Sequence, residues 1–140
     1  MSDLYAKVAI TNSDYTNSKL ILGYWSLAMS EDNFTFYGEY LYKDNGTKEG
    51  IFEVCTNKKC TLIFFESKWK IKNGFLISSV VKSSSKDLTA GTIIKDKILK
   101  LDKKVMILLS DEGKEQDIRL DKPKFFNSFH LSRGGMHIEI

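Results

Sequence analysis

The sequence predicts an all-β fold, an antiparallel up-and-down barrel of about eight strands. Three observations predict it. Apolar and polar residues alternate with a period of two through most of the chain between residues 20 and 120. Turn-forming clusters, among them Asn45-Gly46 and Asn73-Gly74, separate the alternating runs. No segment of that region keeps a helical period, and the only proline is Pro123, which suits long paired strands whose backbone donors are all in use. Consecutive hairpins make a meander, and closing the meander removes its two exposed edges.

Residues 1–19 are rich in turn formers, Asn12, Ser13, Asp14, Thr16, Asn17 and Ser18, and read as an irregular lead-in that caps or plugs one end. Residues 20–29 form the first strand, with Ile21, Trp25, Leu27 and Met29 on one face around Gly23. The run 34–43 alternates most cleanly: Phe34, Phe36, Gly38, Tyr40 and Tyr42 share a face, and its glycine marks a bend or a close approach. Its partner, 47–55, puts Gly50, Phe52 and Val54 together and leaves Glu49, Ile51 and Glu53 outside. Two short strands follow, 61–66 and 68–72, the second with lysines facing water and Trp69 and Ile71 facing in. In 75–82, Phe75, Ile77, Ser79 and Val81 share a face, and the serine-rich stretch 83–91 is a loop at the mouth. Segments 92–101, 105–110 and 114–120 complete the set. After Pro123 the alternation lapses: Phe125, Phe126, Phe129 and Leu131 are spaced for one or two helical turns, and 136–140 reads as a terminal strand.

At 140 residues the chain is expected to be a single domain, 1–140, with the barrel at about 20–120 and a C-terminal extension at 121–140. The longest apolar runs, such as 105–109, fall far short of the ~18 residues that cross a bilayer, so no membrane span is expected. The net charge is +3, but the lysines are interleaved with acids and lie on faces opposite the rings, which excludes a phosphate track or a stacking platform for nucleic acid. No basic segment followed by an apolar core opens the chain, so it reads as cytoplasmic as written, and as periplasmic or secreted if a leader has been removed. The two cysteines, Cys55 and Cys60, flank a four-residue loop; they are either bridged across a hairpin or free thiols beside a turn.

The motifs Leu22-Gly23-Tyr24-Trp25, Trp69 and Ile71 before Asn73-Gly74, Ile98 to Leu101 followed by 105–109, and Arg119 within Asp117-Ile118-Arg119-Leu120 resemble the lipocalin-like branch of the calycins. The resemblance spans about residues 20–120. It implies an eight-stranded barrel whose opening tryptophan, Trp25, lies under an arginine of the last strand, Arg119, as a structural seal. The chain departs from the larger secreted members in being shorter and in lacking their long C-terminal helix with its bridging disulfide.

An inward face carrying Phe34, Phe36, Tyr40, Phe52, Trp69, Ile71 and Phe75 either lines an apolar pocket or fills the barrel. Gly38 and Gly50 leave gaps that favour a pocket; the number of large rings favours filling. His130, His137 and Glu139 are the sole grouping of metal-ligand type and read as polar side chains facing water near a chain end, so no metal and no cofactor are expected. Catalysis is not expected either, since there is no Gly-x-Ser-x-Gly elbow and Glu39, Glu49 and Glu53 read as solubilising outer charges. The function expected is a non-catalytic binding protein holding a small apolar ligand inside the barrel. The alternative is a protein-binding scaffold of inhibitor or immunity type that acts through its loops around a filled core.

Overall fold

A computed structural model describes residues 13–132 and 135–138. The expectations for residues 1–12 and for 139–140 fall outside these residues, as do the side chains of His130, His137 and Glu139.

The lead-in is not irregular from Asp14 onward. Asp14–Leu20 forms helix α1, with Ser13 as its N-cap accepting the Thr16 N–H at 3.1 Å, an acid in its first turn and Lys19 in its last. Serine, aspartate and asparagine favour turns and helix starts for one reason, a short side chain that bonds nearby backbone, so composition did not separate the two. The Asp14 carboxylate also accepts the N–H groups of Asn73 and Gly74 at 2.6 and 2.9 Å, which ties the helix to the hairpin tip at that end of the barrel.

Eight strands then follow in order: β1 Gly23–Glu31, β2 Phe34–Tyr42, β3 Thr47–Thr56, β4 Cys60–Lys72, β5 Phe75–Ser83, β6 Ile93–Leu101, β7 Val105–Ser110 and β8 Gly113–Leu120. All neighbours are antiparallel, and the barrel closes where β1 meets β8 through Tyr24–Leu120, Trp25–Arg119 and Ser26–Ile118. The segments 61–66 and 68–72 are one strand, β4, and the slip in the β4–β5 register between Glu66 and Ser67 leaves Val81 of β5 without a partner in the ladder. Such a bulge adds local twist, as closing a small barrel requires.

Two turns set the registers. Asp44-Asn45-Gly46 links Lys43 to Thr47 as a three-residue turn with Gly46 at φ +85°, one residue longer than the Asn-Gly signal suggests. Asn73-Gly74 is a two-residue turn with φ +54° and +80°, the twist-matched type that Asn-Gly favours. It pairs Lys72 directly with Phe75 and Ile71 with Leu76.

After β8 comes a short helix, α2 Phe125–Ser128, and a hairpin of β9 Phe129–Ser132 and β10 Gly135–Ile138. Phe129 and Leu131 thus belong to a strand and not to a continued helix. The main core lies inside the barrel and includes Ile21, Trp25, Tyr42, Leu76 and Met106. A second, smaller core lies outside the barrel wall, where Phe125 of α2 packs on Ile51 and Phe64.

Candidate functional site

Helix α1 closes one end of the barrel, where Trp25 is fully buried and donates its indole N–H to the Ile21 carbonyl at 2.7 Å. The Arg119 guanidinium lies over the Trp25 ring at 4.1 Å and donates to the carbonyls of Leu20, Leu22 and Lys103. Five donors in one rigid fork suit this position, because the loop that leads into β1 presents its carbonyls without strand partners.

The inner wall of β2, β3 and β4 is aromatic. The ring of Phe52 lies 5.0 Å from those of Phe36 and Phe65 and 5.3 Å from that of Tyr40, in the tilted and edge-on arrangements that aromatic quadrupoles prefer. Gly38 and Gly50 do not leave empty space: a Cβ at Gly50 would stand 1.9 Å from the Phe65 ring, and one at Gly38 would stand 2.7 Å from the Phe52 ring. The gaps seen in the sequence are the seats of these rings. Trp69 and Ile71 pack against the same core, and the Trp69 indole N–H donates to the Lys43 and Thr47 carbonyls at 3.2 and 3.0 Å, which holds it near the closed end.

Of the other two residues expected to line a pocket, Phe34 is half-buried at the start of β2, at the open end. Phe75 takes the opposite face. Leu76, Ser78 and Val80 are the buried residues of β5, and the Phe75 ring carries the exposed Lys95 ammonium 4.5 Å above it. The two-residue turn dictates this, since Phe75 must share the face of its partner Lys72.

A cavity of about 480 Å³ opens at the end opposite α1, lined by Phe52, Val54, Thr61, Ile63 and, from the β5–β6 loop, Ser85 and Leu88. Leu88 also packs on the barrel core, so the loop folds inward over the mouth. Sequence reasoning placed Phe52 and Val54 on one face but did not bring Ile63 or Leu88 to it. Beside this mouth, Cys55 and Cys60 are opposite each other in the β3–β4 ladder and joined as a disulfide.

Deeper inside lies a set of ionisable groups that sequence reasoning missed. Lys48 stands opposite Ser67 in the β3–β4 ladder, on the inner face it shares with Gly50 and Phe52. Its ammonium is 4.7 Å from the centres of both the Tyr40 and Tyr42 rings and 5.9 Å from that of Phe65. From the other side of the barrel, Asp96 of β6 and Glu115 and Asp117 of β8 act on it electrostatically. Asp117 is 1% exposed, and burial, with Glu115 beside it, pushes its carboxyl up to about 9. Asp96 is raised for the same two reasons, and desolvation lowers Lys48. Burial also raises Tyr40 and Tyr42, helped by the same acids. The missed signal was alternation itself: Asp117 is two residues from Arg119, and Lys48 four from Phe52.

Glu39 corrects another expectation. It is on the outer face of β2 but fully buried, because α2 covers it. Its carboxylate accepts the N–H groups of Lys124, Phe125 and Phe126 at 2.8, 2.8 and 3.2 Å and the Tyr37 hydroxyl at 2.6 Å. Burial and this hydrogen bond raise the Tyr37 phenol. Glu49 pairs with Lys43 at 2.9 Å.

No protein-family model matches the chain, and no curated protein matches it. Among solved structures it is similar to a lipocalin-like protein from Bacteroides uniformis, with 16% identity, a TM-score of 0.52, and coverage of 72% of this chain and 99% of that one. With eight antiparallel strands closed in sequence order and a structural likeness of that extent, the chain has the fold of a lipocalin-like small β-barrel.

Proposed function

We propose that this protein is a non-catalytic binding protein that takes a small, largely apolar ligand into the open end of its barrel. The observation that carries this reading is the cavity of about 480 Å³ between the β3–β4 wall and the β5–β6 loop. That volume is of the size that holds small organic molecules, and its apolar lining from Phe52, Val54, Ile63 and Leu88 favours an apolar guest. The fold supports the reading only as a scaffold that suits it.

Titration with an apolar fluorophore tests it. About one molecule should bind per chain, and Val54→Trp or Ile63→Arg should abolish binding with the circular dichroism spectrum unchanged. Silence across a broad apolar panel overturns the proposal. A second reading, a protein-binding scaffold, draws support from the rings that occupy the Gly38 and Gly50 gaps and fill the centre of the β2–β4 wall. A defined partner that still binds Val54→Trp, and is lost when the 83–91 loop is shortened, would favour it.

A further inference from the structure

The interior of the barrel is supplied unevenly with charge. Among the described residues, Asp96, Glu115 and Asp117 face it with one cation, Lys48, among them, while Arg119 is committed to the carbonyls at the closed end. Buried carboxylates are costly unless paired, and proteins that retain an excess of them commonly do so for a ligand. Three observations show that these groups keep unused bonding capacity, although Asp117 shares a hydrogen bond with Glu115. Among the described residues, Asp117 Oδ1 is buried without a hydrogen-bond partner. So is Ser67 Oγ, in a residue 1% exposed that stands directly opposite Lys48. Lys48 itself makes no ion pair or hydrogen bond among the described residues, and its ammonium rests on aromatic faces instead. Lys48, Asp96 and Glu115 point inward yet are only half-buried, so water-sized molecules reach this part of the interior.

We infer that the middle of the barrel is a binding site for a small organic cation, a protonated amine carried on an apolar body, with Asp117 and Ser67 as its polar anchors and the Tyr40 and Tyr42 rings as its walls. This rests on the reading that the open end takes an apolar ligand, and it names the head group of that ligand. The sign follows from the count: three acids against one lysine leave the interior short of positive charge, and Lys48 already demonstrates that these tyrosine faces accept an ammonium. The Asp117 carboxyl, held up toward neutrality by burial and by Glu115, is the group that an arriving cation would stabilise most in its charged form. The apolar body then extends toward the mouth, because Phe52 lines the open cavity and its ring is 5.3 Å from that of Tyr40.

The experiment is calorimetry at neutral pH on the full chain with three probes of one length: octylamine, octanol and octanoate. Octylamine should bind more tightly than octanol by about tenfold or more, and octanoate more weakly than both. Asp117→Asn should bring octylamine down to the level of octanol. Lys48→Met removes the resident cation and should raise the preference for octylamine over octanol. Octanol binding with no preference for the amine, a preference unaltered in Asp117→Asn, or octanoate as the tightest of the three would each overturn this inference and leave the apolar cavity standing. Silence from all three would overturn the cavity as well.

Discussion

Replacing Asp117 by asparagine should stabilise this protein at neutral pH, and the gain should grow as pH rises. In the folded state the carboxyl titrates at about 9 instead of 3.8, chiefly because it is desolvated among Met106, Tyr42 and the neighbouring Glu115. Between those two values the folded protein keeps a proton that the unfolded chain releases, so raising the pH favours unfolding. The contribution of Asp117 to stability is whole below about pH 4 and is lost progressively up to about pH 9. Each pH unit within that interval is worth about 1.4 kcal/mol, which puts the loss at pH 7 at roughly 4 kcal/mol. Asparagine has the shape of the protonated acid and does not titrate. Because its amide must replace a hydroxyl toward Glu115, we expect about 2 to 4 kcal/mol of gain at pH 7. Urea denaturation of both proteins at about pH 5, 7 and 8.5 measures it: the wild type should lose midpoint across the series and the variant much less. A variant that is less stable than the wild type at every pH, or a gap that does not widen with pH, would refute the assignment of Asp117 as a buried acid maintained at a cost. Stability given up at one residue is what a ligand site inside a core produces.

Three further outcomes follow from the packing. Arg119→Ala removes hydrogen bonds to three carbonyls and the contact over Trp25, and should lower stability by about 2 to 4 kcal/mol; an unchanged denaturation midpoint would show that the closed end does not depend on it. Gly50→Ala places a methyl group where the Phe65 ring sits and should cost about 1 to 3 kcal/mol, a loss relieved in a Phe65→Leu background, whereas a neutral or stabilising effect would mean that the rings do not fill this wall. Glu39→Ala leaves three backbone N–H groups of the α2 turn without their acceptor, and should cost about 2 to 3 kcal/mol while speeding amide exchange at residues 124–126; exchange no faster than in the wild type would remove Glu39 as the anchor of the C-terminal extension.

The sequence by itself determined the order of the barrel strands and the Asn73-Gly74 turn, since a period of two and Asn-Gly turns are local properties of the backbone and solvent. It split β4 in two, however, and made the turn at Asn45-Gly46 one residue too short. Two features were legible but misread. The face of Phe75 follows from the two-residue turn before it, and Lys48 lies on the same alternating face as Phe52. The helix at Asp14–Leu20 was ambiguous locally, because cap residues and turn residues are the same residues. Other matters were decided by tertiary structure alone. Whether Gly38 and Gly50 open a cavity depends on where the rings of Phe52 and Phe65 fall when three strands curve together. Glu39 looks like any outward charge until α2, more than eighty residues later, covers it and supplies its donors. The cluster of Lys48, Asp96, Glu115 and Asp117 draws on three strands that are distant in the chain, and no local pattern encodes which inward charges meet; barrel closure brings them within reach of one another, and the low dielectric there turns three acids and a lysine into a site.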